Sequence, residues 1–278
     1  MLTSTPPSWP ASALDQALAR SRCQHRAALG LYLPVGYPTH SGSLEALHAM
    51  APHCDVLELG VPHRRAHLDG PTIQHAAAQA LDNGYRMRDL FTTTADLASS
   101  ATAALVVMTY WAPVEEYGPG LFAETFSAAG GAGVLVPDLP DRAATEWHRT
   151  TRAAGLHSIP LIPAHASAAK LTAIGTSSSG MAYAPAAPGR TGTAGPLSPY
   201  LPRLVRRLRD ATRLPVAVGI GISTPARAAQ ASAYADAVVV GSAVIRRMQA
   251  ATGGPGAAAA AAARDFAAGV RRAHRPAA

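Results

Sequence analysis

A glutamate inside an apolar run is the first residue that asks for a chemical explanation. Glu58 lies in Val56-Leu57-Glu58-Leu59-Gly60-Val61, which reads as a buried strand. An ionised carboxylate in such a run is costly unless it is paired or takes up a proton. Asp69 follows eleven residues later, in the loop Leu68-Asp69-Gly70-Pro71 ahead of a helical stretch. A carboxyl from a strand and another from the loop after it can converge on one pocket, as general acid–base chemistry requires. Spacing alone leaves a plainer alternative open: a strand-end Glu satisfied by backbone amides, and an Asp that caps a helix. His63 and His67 stand close to Asp69 and invite a metal-site reading, but loop histidines at this density more often face solvent.

The elements that would position these groups alternate strictly. Apolar strands are expected over 29–36, 56–61, 104–110, 133–137, 158–162, 181–183, 215–218 and 236–240. Helical sequence lies between them, at 41–53, 72–99 with a break at Asn83-Gly84, 119–129, 141–154, 167–174, 198–212 and 224–232. A final helix opens at Gly241-Ser242-Ala243, and Ala257 to Ala263 extends it. Ser12 or Asp15 caps an extra N-terminal helix running to Arg26. Eight β/α units without a composition break imply one α/β domain over 1–278, a closed (β/α)8 TIM barrel with that extra helix. Residues 1–12 and 253–278 are expected at its periphery. An open doubly wound sheet would show a Gly-rich fingerprint after its first strand, and Pro34-Val35-Gly36-Tyr37-Pro38 is not one.

In such a barrel the working face is at the C-terminal ends of the strands. Glu58, Asp69 and Tyr183 all fall there. So do three late loops, Gly189-Arg190-Thr191-Gly192, Gly219-Ile220-Gly221-Ile222-Ser223 and Gly241-Ser242-Ala243. Glycine or serine at a helix start lets backbone N–H groups face an anion, so these loops point to a phosphate.

The formal charge is +7 and Arg carries most of it, with Arg203, Arg206, Arg207 and Arg209 on one helix and Arg271, Arg272 and Arg275 near the end. Aromatics are only 5% and no basic block interleaves with them, so a nucleic-acid partner is not expected. A basic surface suits an anionic substrate. No apolar run reaches the ~20 residues of a membrane helix, and no secretory signal is expected. Cys23 and Cys54 form neither a disulfide framework nor a metal cluster, which fits a cytoplasmic location.

Taken together, several segments resemble the α subunit family of tryptophan synthase, from about Leu29 to Met248. They are Leu57-Glu58-Leu59-Gly60-Val61-Pro62, Asp69-Gly70-Pro71-Thr72-Ile73-Gln74, Met108-Thr109-Tyr110 with Pro113-Val114, and Val134-Leu135-Val136-Pro137-Asp138-Leu139-Pro140. Gly219-Ile220-Gly221-Ile222-Ser223 and Gly241-Ser242-Ala243 complete the set. The resemblance implies a (β/α)8 barrel that cleaves indole-3-glycerol phosphate to indole and glyceraldehyde 3-phosphate, without metal or organic cofactor. It implies Glu58 as general acid/base, Asp69 as the carboxylate on the indole N–H, and Tyr183 near the scissile region. Tyr32 and Leu59 would line the indole pocket. Thr191, Gly192, Gly221, Gly241 and Ser242 would serve the phosphate side, with the Ser242 hydroxyl as an added donor. A Glu58 buried among Leu57, Leu59 and Val61 would hold its proton more tightly than usual, and Asp69 should stay ionised.

The chain departs from the family at several positions, among them ones that the family uses to couple to its β subunit. Arg65 and Ala66 replace an aspartate and a proline in the loop after the second strand, Ala112 an asparagine after the third, and Ala187 an arginine after the sixth. Pro34 replaces a common threonine. These changes imply a lyase that works alone or with weakened coupling to a β subunit. A ring-substituted indole or another phosphorylated diol is the alternative substrate, with Tyr32 and Leu59 setting the choice. A regulatory subunit that only activates a β-type partner is the non-enzyme alternative.

Overall fold

The computed structural model describes residues 11–163, 165–187, 189, 191–192 and 195–273. Residues 1–10, Arg190 and Arg275 lie outside the described residues.

Eight parallel strands form one sheet: β1 (Ala28–Pro34), β2 (Val56–Gly60), β3 (Ala104–Met108), β4 (Gly133–Leu135), β5 (His157–Ile159), β6 (Ala182–Pro185), β7 (Val216–Gly219) and β8 (Ala237–Val240). Their order is β5-β4-β3-β2-β1-β8-β7-β6. The two ends meet through a parallel bridge between Leu161 and Tyr183. There the Ile162 N–H donates to the Tyr183 carbonyl at 2.8 Å and the Tyr183 N–H to the Pro160 carbonyl at 2.9 Å. The barrel expected from the alternation is therefore present, with its seam between β5 and β6, opposite β1 and β2.

Side chains alternate along each strand, so each strand feeds two apolar layers. Val56, Ala104, Val106, Leu135, Ile159, Tyr183, Ala217 and Val239 pack inside the barrel. Leu31, Leu33, Leu57, Leu59, Val107, Val134, Val218 and Val240 face the helical ring. Helices α1 (Ala13–Cys23), α2 (His40–Met50), α3 (Pro71–Asp82), α4 (Met87–Ala98), α5 (Trp111–Tyr117), α6 (Pro119–Ala128), α7 (Asp141–Ala153), α8 (Ala168–Ser177), α9 (Leu201–Ala211), α10 (Pro225–Ser232), α11 (Ser242–Ala250) and α12 (Pro255–Arg272) complete the described fold. Helix α9 shows why they lie flat on the sheet. Leu201, Leu204, Val205 and Leu208 recur at helical spacing on its buried face, while Arg203, Arg206 and Arg209 face away.

Helix α1 is the extra N-terminal helix, and it ends at Cys23, short of the expected Arg26. Ser12 and Asp15 close a reciprocal capping box, with the Asp15 N–H to Ser12 Oγ at 3.1 Å and the Ser12 N–H to Asp15 Oδ2 at 3.0 Å. Such a cap is worth about 1 kcal/mol. Leu14, Ala17 and Leu18 join the inner layer beside Ala28, Val56 and Ala104, the first inward residues of their strands. The helix thus plugs the N-terminal mouth of the barrel and leaves the other mouth open.

Two differences from the sequence reading have clear causes. Helix α5 was not expected after β3; the Asp138 carboxylate, just beyond β4, accepts the Trp111 N–H at 2.8 Å and starts it. The segment 253–278, expected at the periphery, contains α12, a helix separate from α11 with a buried face of Ala259, Ala262, Ala263, Phe266, Ala267 and Val270. That face packs on α2 and α10. Small residues permit it: a Cβ on Gly269 would stand 2.4 Å from the Pro225 carbonyl oxygen. Alanine's helix propensity was legible in this tail; its packing partners were not.

Candidate active site

Glu58 pairs in register with Tyr32 on β1 and Val106 on β3 and points into the barrel. Only 4% of it is exposed. Burial and the nearby Asp69 carboxylate push its pKa up to about 8, and no described residue hydrogen-bonds its carboxyl to offset this. Backbone amides therefore do not satisfy it. The apolar surroundings differ from those expected. Leu57 and Leu59 flank Glu58 in sequence but face the helices, because adjacent strand residues point to opposite sides. Leu59 does not line the pocket, which corrects the expectation that it would; Tyr32, Met108 and Val239 from neighbouring strands do.

Asp69 is buried at the end of the loop after β2. Burial raises its pKa to about 6, held back by hydrogen bonds from Tyr110 and Thr191 and by His67. The Tyr110 hydroxyl donates to Asp69 Oδ2 at 3.0 Å, and the Thr191 hydroxyl to Oδ1 at 3.5 Å. The N-cap of α3 is Gly70, without a side-chain cap bond, so Asp69 is not a helix cap. Tyr110 also accepts the Leu68 N–H at 3.1 Å and so fixes the loop that carries Asp69. Sequence reasoning gave Tyr110 no role; its place directly after a barrel strand was the available signal. His63 and His67 pack on the Tyr110 ring, with centroids 5.6 and 5.4 Å away. No group of three or more His, Cys, Asp or Glu placed to hold a metal occurs among the described residues.

Across the pocket, the loops after β6, β7 and β8 meet. Gly241 is the N-cap of α11 and the buried Ser242 its first residue, so free N–H groups of that helix face the cavity. Ile220 and Gly221 both have positive φ, +57° and +101°, which turns the chain sharply after β7. A side chain at 221 would meet Ala187 Cβ at 2.7 Å. A Cβ on Gly192 would lie 3.5 Å from Ser242 Oγ and from Arg246 Nη1, placing a guanidinium beside this end. Arg246 was not singled out in the sequence. Thr191 reaches the other way: its hydroxyl accepts the Gly70 N–H at 2.7 Å, and a Cβ on Gly70 would fall 1.8 Å from the Thr191 carbonyl oxygen.

Between these poles is a pocket of about 650 Å³, counting its open mouth. Tyr32, Glu58, Asp69, Tyr183, Thr191, Gly192, Gly221, Gly241 and Ser242 all line it, so every candidate except Leu59 is brought together. Its middle is apolar, with Met108, Leu135, Leu161 and Ile222. The Tyr32 ring lies against Gly241, and its hydroxyl lies over Gly60, where a Cβ would come within 2.4 Å. The Tyr183 hydroxyl covers Gly219 in the same way, at 2.1 Å. Burial, with the charges of Asp69 and Glu58, raises both phenol pKa values well above normal, so both stay protonated. A slot for a flat apolar ring thus has two carboxyls and two phenols around it and anion-facing amides at one end.

Comparisons with known proteins agree with one another. The family model described as tryptophan synthase alpha chain matches residues 18–271. The tryptophan synthase alpha chain of Streptomyces coelicolor is 39% identical over 236 residues, covering 84% of this chain and 87% of that protein. That of Nocardia farcinica is 39% identical over 263 residues, covering 94% and 97%. A solved structure of Mycobacterium tuberculosis tryptophan synthase superposes with a TM-score of 0.87 at 38% identity, over 94% of this chain and 99% of that one.

Proposed function

The chain belongs to the tryptophan synthase alpha chain family, and on that premise we propose that Glu58 and Asp69 carry its reaction. The reaction is the cleavage of indole-3-glycerol phosphate to indole and glyceraldehyde 3-phosphate, a carbon–carbon lyase activity. One observation supports the assignment most directly: two buried carboxyls of unequal acidity, about 8 and about 6, share one apolar pocket. Near neutral pH the first keeps its proton and the second its charge, which are the two states the chemistry needs.

The indole ring fits the apolar middle, its N–H on Asp69 and its phosphate on the amides of Gly192, Gly221, Gly241 and Ser242. Protonated Glu58 gives its proton to ring carbon C3, and the positive charge that develops at nitrogen is stabilised by ionised Asp69. The glyceryl hydroxyl then returns a proton to Glu58 as the C3–carbon bond breaks. That bond's electrons restore the aromatic ring, the hydroxyl carbon becomes the aldehyde, and Glu58 ends as it began. On this reading the Tyr183 hydroxyl, which lines the pocket, stands by the scissile bond and donates to the oxygen of the forming aldehyde. No step calls for a metal or organic cofactor.

Members of this family work with a tryptophan synthase beta chain. Arg65 is exposed and Ala66 buried in the loop after β2, where Ala66 offers its carbonyl to Gln74 Nε2 at 2.9 Å. The pocket carboxyls are kept while Arg65, Ala66, Ala112 and Ala187 depart from the family pattern, and on that ground we propose that coupling to a beta chain is weakened. A rise in turnover of orders of magnitude on adding a beta chain would refute weakened coupling. No helix among the described residues is long and apolar enough to cross a membrane, and the thiols of Cys23 and Cys54 are unpaired, as suits a reducing cytoplasm. The first experiment is indole release by the purified chain beside its Glu58→Gln variant. We expect release from the parent and a fall of about 10³-fold or more in the variant. Equal rates would remove Glu58 from the mechanism.

A further inference from the structure

The end of the barrel opposite the pocket carries positive charge that the reaction does not use. A second cavity opens there beside the plug made by α1, about 570 Å³ counting its mouth. It lies at the N-terminal ends of β1, β2 and β3. Arg20 reaches it from α1, Arg26 from the lead into β1, His53 and Asp55 from the segment ahead of β2, and Arg271 from α12. The first and last helices of the described fold thus meet over one polar hollow.

The single carboxylate that lines this cavity is already committed. Asp55 takes the Arg26 guanidinium in a two-pronged ion pair, at 2.6 and 2.7 Å, and also accepts the Leu29 N–H at 2.8 Å. That pair cancels its own charge and forms a fixed wall. Arg20 gives an N–H to the Thr102 carbonyl at 3.2 Å, but no acid among the described residues pairs with it. Arg271 has neither an ion pair nor a hydrogen bond among the described residues, and the same holds for Arg264, two turns earlier on α12. The Cys54 thiol adds no negative charge, because burial and the Asp55 carboxylate keep it protonated. His53 registers the resulting field: burial, and then the charges of Arg264 and Arg271, lower its imidazole pKa.

We infer that this hollow is a second anion site, remote from the catalytic pocket, which holds a small phosphate-type dianion between Arg20 and Arg271. Guanidinium groups suit such a ligand because their planar forks match the spacing of phosphate oxygens. The walls are mostly polar, so the cavity selects charge rather than an apolar ring. Inorganic phosphate and a phosphate monoester share this chemistry. Because Arg20 and Arg271 belong to the first and last helices, one bound dianion clamps α12 to the floor of the barrel and stabilises the folded chain.

The test titrates the purified full chain with inorganic phosphate, and separately with methyl phosphate, at an ionic strength held constant with chloride. The His53 ring signals in the NMR spectrum, assigned by their loss in His53→Gln, follow this site alone, since the catalytic pocket lies at the other mouth. Phosphate should move them saturably, with a Kd at or below about 1 mM, and should shift the His53 titration to higher pH, because a dianion favours the imidazolium. Arg20→Gln and Arg271→Gln should each weaken the response about tenfold, the worth of one charge-assisted hydrogen bond. In chloride alone both variants should melt no lower than the parent, since each removes an unpaired positive charge. In phosphate the parent's thermal midpoint should rise by more than theirs. A response to methyl phosphate as well shows that the site accepts monoesters, and a response to phosphate alone confines it to the free ion; either supports the inference. His53 signals that phosphate moves no more than chloride does, or a response that survives intact in both variants, overturn it.

Discussion

Burial raises both carboxyls of the pocket, yet only Asp69 has donors that hold its charge in place. That asymmetry, more than either residue alone, separates acid from anion. It should appear as a bell-shaped pH profile of kcat/KM, with the acid limb near 6 from Asp69 and the basic limb near 8 from Glu58. Tyr110 is the adjustable part. Its hydroxyl bonds to the ionised form of Asp69 and lowers that pKa, so Tyr110→Phe should move the acid limb upward by about one unit. The basic limb should stay where it is. A profile that keeps its shape and only drops in height would show that Tyr110 does no more than pack. Of these residues the sequence disclosed Glu58 and Asp69, because a carboxylate in an apolar run is anomalous wherever it falls. Tyr110 stayed hidden, since a tyrosine after a strand is common and its partner is forty-one positions away. Leu59 was misplaced for a simpler reason. It borders Glu58 in the chain, but strand geometry sends it to the opposite face.

At the scale of elements, the strands and most helices were legible because hydrophobic period and turn residues agree along the whole chain. The break at Asn83-Gly84 appears between α3 and α4, with Gly84 at φ +88°. What could not be read were contacts between distant loops. The loop after β2 and the loop after β6 dock where Gly70 meets Thr191, and no side chain fits between them. Gly70→Ala should therefore hold the two loops apart by an ångström or more. We expect kcat to fall by about 100-fold, the usual penalty for misplaced reacting groups, while the thermal midpoint moves little because both loops lie outside the core. A large loss of stability with near-normal kcat would mean that the contact is structural. The C-terminal helix was underestimated on similar grounds: alanines disclose a helix but not which face another helix will cover.

The whole molecule feels the pocket through its folding equilibrium. In the unfolded chain Glu58 titrates near 4.5 and Asp69 near 3.8, but in the folded chain they titrate near 8 and 6. A raised folded-state pKa means the folded form holds the proton more tightly. This contribution to stability is complete below the unfolded values and is lost as pH rises through the folded ones. Denaturant unfolding should thus show stability falling between about pH 4 and pH 8. Relative to the parent, Glu58→Gln should gain on the order of 5 kcal/mol across that span, because it removes the larger of the two titrations. A pH-independent difference between them would show that Glu58 is ordinary in the folded chain. The plug formed by α1 makes the same division of labour visible in space, with a sealed mouth that contributes packing and an open mouth that carries the costly groups.

Thr191 and Gly192 are neighbours in sequence, but they attend to opposite poles of the pocket. Thr191 touches Gly70 and Asp69, and Gly192 borders Ser242 and Arg246. One peptide link therefore ties the grip on a phosphate to the ordering of the ring carboxylate. By thermodynamic reciprocity, whatever free energy the anion adds to settling Asp69, a settled Asp69 returns to the anion. A substrate stripped of its phosphate would then be a poor reactant as well as a weak ligand, for the handle farthest from the breaking bond is part of what makes it break.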